Sequence, residues 1–370
     1  MFFRFNSTPR TLAFCGVALT VGLTACQSQA PDTTPQAGNS PGQSGDNISA
    51  QLSGAGATFP APLYQRWFSE YNKENPGVQI SYQSVGSGAG IKQFLSKTVD
   101  FGATDAPLKD DERSQYPKDR GSAPVQIPMT GGAVVMAYNL QGVDKLNLSR
   151  SAYCGIVQGD IKNWNDPKIA KDNSGANLPN TPINFVHRSD GSGTTFIFTS
   201  HLKAACPSWK AGASKSVDWP VGIGAKGNEG VTAQVQQTEG AIGYTEYSYA
   251  KENDLKFAAL QNKAGTFIDA SPESAGKALA GTTVPENLVV SVADPQQADA
   301  YPIVALTYLL LYQQYDDPNK AKALQNFVKW ALSNGQQSAE ELGYVALPED
   351  LQNKVISAID TIKVVSASAK

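Results

Sequence analysis

Three times in this chain a strand-like run breaks into a corner of glycine and hydroxyl residues and resumes with helical spacing. Repeated strand–corner–helix units commit a chain to the α/β class, with mixed or parallel sheets covered by helices. Val78, Ile80 and Tyr82 alternate as on a half-buried strand, Val85-Gly86-Ser87-Gly88-Ala89-Gly90 follows, and Ile91, Phe94 and Leu95 take up helical spacing. Ile183, Phe185 and Val186 lead through His187-Arg188-Ser189-Asp190-Gly191-Ser192-Gly193-Thr194 into a helix predicted to reach Leu202. The remaining instance is weakest as a strand. Gln51-Leu52-Ser53 is short and runs at once into Gly54-Ala55-Gly56-Ala57-Thr58-Phe59, after which Leu63, Tyr64, Trp67, Phe68 and Tyr71 mark one face of a helix. Two long apolar segments, 132–138 and 303–312, read as central strands. Asp317-Pro318 supplies a cap and a first-turn proline for a helix with Leu324, Phe327, Val328 and Ala331 on its stripe, and Gly335 is expected to stop it. No internal repeat is visible, and 370 residues suit about two domains.

The N-terminus reads as an address. Residues 1–25 hold Arg4 and Arg10, no acid, and an apolar run over 12–23. That run is shorter than the ~20 residues of a membrane span and fits a secretory signal. It ends in Leu23-Thr24-Ala25-Cys26, which resembles the lipobox of bacterial lipoproteins, where cleavage exposes the cysteine for lipidation; an ordinary signal with an incidental cysteine is the alternative. Residues 26–50 are expected to be a flexible tether, because Ile48 is their only sizeable apolar side chain and so little burial cannot offset the entropy of ordering. The body is therefore expected outside the cytoplasm, in the periplasm or at the cell surface, lipid-anchored to a membrane. With Cys15 removed and Cys26 lipidated, Cys154 and Cys206 remain. An extracytoplasmic compartment permits a disulfide between them; two buried free thiols are the alternative.

The three corners share one chemistry. Glycine lets backbone approach a ligand closely, Ser or Thr adds a donor, and a helix N-terminus offers unpaired N–H groups with partial positive charge. Together they read as an anion cradle, with Arg188 just ahead of one corner. Nucleotide readings fail on spacing: Gly222-Ile223-Gly224-Ala225-Lys226-Gly227 is not a P-loop, and Gly86, Gly88 and Gly90 lack the dinucleotide pattern. No GxSxG elbow accompanies His187 or His201, and no CxxC or HExxH spacing occurs, so neither an enzyme nor a metal site nor a cofactor is implied. Lysines and arginines form no cluster, which excludes nucleic acid as a partner. Without Arg4 and Arg10 the chain keeps 28 of its 30 basic residues against 33 acidic ones, a formal charge of −5. Long-range attraction cannot then be the source of anion affinity.

Over residues 51–370 the sequence resembles the phosphate-binding proteins of bacterial high-affinity phosphate ABC transporters. The resemblance rests on Gly54-Ala55-Gly56-Ala57-Thr58-Phe59-Pro60-Ala61-Pro62, Asp100-Phe101-Gly102-Ala103-Thr104-Asp105-Ala106-Pro107, Arg188-Ser189-Asp190-Gly191-Ser192-Gly193-Thr194, Gly224-Ala225-Lys226-Gly227-Asn228 and Gly240-Ala241-Ile242-Gly243-Tyr244, in that order. It implies a two-domain periplasmic-binding-protein fold, each domain a mixed sheet flanked by helices, joined by two hinge strands. The domains would be 51–130 plus 303–370, and 131–302. It further implies a monomer that holds inorganic phosphate between its domains and delivers it to membrane permease subunits. Carried over by position, Thr58, Phe59, Ser87, Ser192, Gly193 and Thr194 donate to phosphate, Arg188 is its ionic partner, Asp190 orients Arg188, and Asp105 accepts the phosphate proton. A sulfate or molybdate receptor is disfavoured because those anions have no proton for Asp105. A secreted phosphatase-like hydrolase lacks a nucleophile–base pair or metal. Tyr244, Tyr247 and Tyr249 are read as packing, and Asp105 has the plainer alternative of a helix cap.

Overall fold

The computed structural model describes residues 48–280 and 282–364. The expected signal, Cys26 and nearly all of the tether lie outside the described residues. The body begins slightly inside the segment read as tether: Ile48 packs on the core, and the Ala50 N–H donates to the Gly77 carbonyl at 3.0 Å.

One mixed sheet organises the described chain. Its strands are β1 (Ala50–Gly56), β2 (Val78–Ser84), β3 (Phe101–Thr104), β4 (Val125–Tyr138), β5 (Asn184–Arg188), β6 (Ile223–Ala225), β7 (Ala241–Glu246), β8 (Lys256–Phe257) and β9 (Val304–Leu311). Their spatial order is β2-β1-β3-β9-β4-β7-β5-β6, with β8 beside β4. β1 is parallel to β2 and β3, and β5 is parallel to β6 and β7. β4 and β9 are the antiparallel exceptions. The weak strand signal at 51–53 belongs to a full strand through Gly56, because ladders on both sides override local propensity.

The sheet has two halves, and β4 belongs to both. Its residues up to Ala133 pair with β9, whereas Val134 to Tyr138 pair with β7. The returning chain crosses at the same level, where the Val134 N–H donates to the Ile303 carbonyl at 2.9 Å and Ala293 bridges Ile303. Two adjacent antiparallel segments thus connect the halves, as hinge strands do. Beside this crossing lies a buried carboxyl. Glu246 Oε2 accepts from the Ser248 N–H (2.9 Å), the Ser248 hydroxyl and the Tyr344 hydroxyl (3.2 Å), while Oε1 has no partner among the described residues. Burial pushes this carboxyl up to about 8, against the hydrogen bonds from Ser248 and Tyr344.

Helices α1 (Ala61–Glu74), α2 (Ser87–Leu95), α3 (Gly193–Ala205) and α4 (Gly227–Gln237) start just past strand ends. The expected face of α1 is buried, and Phe68 and Tyr71 meet Phe327 of α5 (Pro318–Ser333) with ring centroids 5.2 and 5.5 Å apart. Asp317 caps α5 as expected, accepting from the Asn319 and Lys320 N–H groups. Gly335 is not a left-handed stop. It has φ −73°, and its carbonyl accepts from the Trp67 indole at 2.7 Å, so glycine serves a close approach there. Cys154 and Cys206 form a disulfide with Cα atoms 5.7 Å apart, tying the middle of the helix Arg150–Gln158 to the C-terminal end of α3.

Candidate anion-binding site

All eight residues expected to meet the anion lie at or just past the C-terminal ends of parallel strands, where open α/β sheets bind ligands. Thr58 and Phe59 follow β1, Ser87 opens α2 after β2, and Asp105 follows β3. Arg188 ends β5, while Ser192, Gly193 and Thr194 form the cap and first turn of α3. The first four come from one half of the sheet and the last four from the other.

The structure brings the two sets together. The Gly88 N–H donates to the Gly191 carbonyl at 2.8 Å, joining the start of α2 to the loop ahead of α3. A Cβ on Gly86 (φ +87°) would stand 2.2 Å from Asp190 Oδ2, and one on Gly193 would stand 2.3 Å from Asp105 Oδ2 and 2.6 Å from Ser87 Oγ. Glycine is required at both places by these approaches. The N–H groups of Ser87, Gly193 and Thr194 belong to first helical turns and have no carbonyl of their own helix to meet. The Ser192 oxygen accepts from the Thr195 N–H at 3.0 Å, which leaves its hydrogen to donate elsewhere. Phe59 sends its ring into the core against Tyr344, so only its backbone can serve a ligand.

Charge is arranged as closely. The Arg188 side chain is 1% exposed and forms a fork with Asp190, Nε to Oδ1 at 2.7 Å and Nη2 to Oδ2 at 2.6 Å. Burial raises the Asp190 pKa, but the fork and the Gly227 N–H hold it below the usual carboxylate value. Nη1 reaches the Thr194 hydroxyl at 3.3 Å, and its other hydrogen remains available. Asp105 is no helix cap. Its Oδ1 accepts from the Thr307 hydroxyl at 2.7 Å, and Oδ2, beside Ser87 and Gly193, has no partner among the described residues. Burial pushes this carboxyl up to about 7, while Thr307 and the Arg188 charge pull against that shift.

Four supporting residues escaped the sequence reading. Asn228, at the start of α4, donates to the Thr58 hydroxyl at 2.8 Å and the Thr194 hydroxyl at 3.2 Å, fastening one half to the other. Tyr244 and Tyr249 do more than pack. The Tyr244 oxygen accepts from the Arg188 N–H at 3.0 Å, and the Tyr249 hydroxyl donates to the Thr58 carbonyl at 2.7 Å. Thr307 pairs with Thr130 just before the β9–β4 register shifts, with Tyr308 opposite Pro128, and its hydroxyl donates to Asp105. Its signal was present: one threonine inside the apolar run 303–312. His201 is buried against Tyr153, and burial brings it down to about 4, so it stays neutral. Among the described residues no group of His, Cys, Asp and Glu could hold a metal.

Two half-sheets joined by paired crossings, with donors from both converging between them, define a two-lobed ligand receptor. Accordingly, a family model described as a PBP superfamily domain matches residues 41–335. Within that class the chain belongs to the family of phosphate-binding proteins PstS. Phosphate-binding protein PstS of Pasteurella multocida is 43% identical over 310 residues, 82% of this chain and 88% of that protein. Its counterpart in Xylella fastidiosa is 40% identical over 354 residues, 93% of this chain and 95% of that protein. The fold is shared with a high-affinity periplasmic phosphate-binding protein solved with phosphate bound (TM-score 0.72, 23% identity, 83% of this chain and 93% of that chain). It is also shared with a phosphate-binding protein from Stenotrophomonas maltophilia (TM-score 0.65, 22% identity, 84% and 94%).

Proposed function

We propose that this protein binds inorganic phosphate between its two half-sheets outside the cytoplasm and delivers it to the permease of an ABC transporter. The domains would be 51–130 plus 303–370 and 131–302, closing about the crossings near Ala133–Val134 and Ile303. Phosphate would receive the Thr58, Ser87, Ser192 and Thr194 hydroxyls, N–H groups from Phe59, Ser87, Gly193 and Thr194, and the free Arg188 hydrogens. Each charge-assisted bond of this kind contributes roughly 1.5–3 kcal/mol. Cys26 would carry a lipid that holds the body at a membrane.

The single observation that carries the reading is Asp105 Oδ2. It is a buried carboxylate oxygen with no partner among the described residues, in an otherwise donor-lined site. Such an acceptor repels an anion made only of lone pairs and suits one that brings a proton. Phosphate keeps a proton near neutral pH, whereas sulfate and molybdate do not. The family is one of binding proteins, and a hydrolase reading has no nucleophile–base pair at the site to rest on. Titration calorimetry on phosphate-stripped protein at pH 8 tests the reading. Phosphate should bind at least about tenfold more tightly than sulfate or molybdate, the cost of protonating Asp105 at that pH; equal binding of the three would overturn it.

A further inference from the structure

We propose that Glu112 and Lys215 form a latch across the cleft that slows release of the ligand. Lys215 Nζ lies 2.6 and 2.8 Å from the two carboxylate oxygens of Glu112. The side chains are 9% and 17% exposed, so the pair is largely withdrawn from water. Glu112 belongs to the short helix Asp110–Ser114, between β3 and β4, and Lys215 to the segment between α3 and β6. Among the described residues this is the one ion pair that joins the two half-sheets; every other pair stays within one side.

Both ends connect to the binding loops. The Lys215 carbonyl accepts the Ser192 N–H at 2.8 Å, so moving Lys215 moves a donor of the cradle. Glu112 follows Asp105 by seven residues, and its Oε2 also accepts the Lys109 N–H at 2.9 Å, which fixes the carboxylate before it meets the lysine. Lys109 Nζ adds a contact to the Ser214 hydroxyl at 3.5 Å, again across the cleft. Opening must separate two desolvated charges, a barrier that entry into an open cleft does not meet. The latch therefore acts on dissociation. Glu112 and Lys215 are positioning residues that need not touch the ligand.

The role rests on the phosphate reading, and the test separates the two. Phosphate association and release are followed by stopped flow on the full chain, for wild type, Glu112→Gln, Lys215→Met, and the exchanged pair Glu112→Lys with Lys215→Glu. Gln can still accept from Lys109, and Met keeps the apolar stem of the lysine. Each single variant should release phosphate about tenfold faster, equivalent to about 1.4 kcal/mol, with association within about threefold of wild type. The exchanged pair should return release to within about threefold. Release within twofold of wild type in both single variants overturns the latch. So does a rise that the exchanged pair fails to reverse, because it marks local damage. Absence of phosphate binding by the wild type would instead overturn the phosphate reading, and the latch with it.

Discussion

Asp105 should make sulfate binding depend on pH in a way that phosphate binding does not. Sulfate offers only lone pairs to Asp105 Oδ2. An ionised carboxylate about 3 Å from a sulfate oxygen is repelled by roughly 5 kcal/mol at an effective dielectric near 20. The alternative is to bind with Asp105 protonated. Because burial already pushes that carboxyl up to about 7, protonating it requires about 1.4 kcal/mol at pH 8 and about 2.7 kcal/mol at pH 9. Both are below the repulsion, so the protonated route prevails through this range. The sign follows: a group that must hold a proton in the complex loses affinity as pH rises above its own pKa. The sulfate dissociation constant should be level below about pH 7 and rise about tenfold per unit above it. Phosphate, which keeps a proton through the same range, should show no comparable loss. Asp105→Asn preserves the shape and cannot titrate, so its sulfate affinity should be level and its phosphate affinity modestly changed. Calorimetry on phosphate-stripped wild type and variant at pH 6, 7, 8 and 9, at constant ionic strength, reads both curves. A level sulfate curve in the wild type between pH 7 and 9, or an equal slope in Asp105→Asn, would refute the argument.

Arg188→Gln should remain folded by circular dichroism yet lose several kcal/mol of phosphate affinity, since it leaves Asp190 and the ligand without their buried cation; binding within threefold of wild type contradicts its ionic role. Cys26→Ala should move the protein from the membrane to the soluble fraction, and a variant that still sediments with membranes after a salt wash argues against the lipid anchor. Glu246 carries a pKa raised to about 8 by burial, so the folded state holds its proton more tightly than the unfolded chain. Its contribution to stability is complete below about pH 4.5 and is lost as pH rises through 8. Urea unfolding at pH 5 and pH 9 should therefore show Glu246→Gln gaining on wild type by a few kcal/mol at the higher pH. Asp105 shifts both proteins alike, and an unchanged difference would remove Glu246 as the source.

Local signals carried much of the fold into the sequence. Glycine–hydroxyl corners, the α1 stripe and the Asp317-Pro318 cap depend on neighbours within a few positions, and each stands where its spacing puts it. Contacts between distant residues were not legible in the same way. The strand at Ala50–Gly56 exists because β2 and β3 pair with it, which a run of glycines does not announce. Cys154 and Cys206 are 52 positions apart, and only their 5.7 Å Cα separation distinguishes a bridge from two thiols. Asn228 ends the Gly224-Ala225-Lys226-Gly227-Asn228 motif, but its link between Thr58 and Thr194 depends on two half-sheets meeting. Tyr244 and Tyr249 looked like core because their rings are core; their function rests in the terminal oxygens.

The charge arrangement explains why such a site needs two halves. Arg188 and Asp190 cancel before any ligand arrives, and Asp105 sits close to half protonation near neutral pH. The cradle is therefore nearly neutral within a chain of formal charge −3. Nothing draws an anion from a distance, so its charge must be met by hydroxyls, by helix N-termini and by the free hydrogens of one guanidinium. These donors act strongly only where water is excluded and the local dielectric is low. Thr58, Ser87 and Asp105 belong to one side and Arg188 to Thr194 to the other, so water is excluded only when the sides meet. On the proposed reading, binding and closure would be one equilibrium: a half-site would hold the anion weakly in water, and the closed state would add the second set of donors to the first. Selectivity resides in the same event. An anion with a proton would satisfy Asp105 as the cleft closes, whereas one without would first have to take a proton from solution.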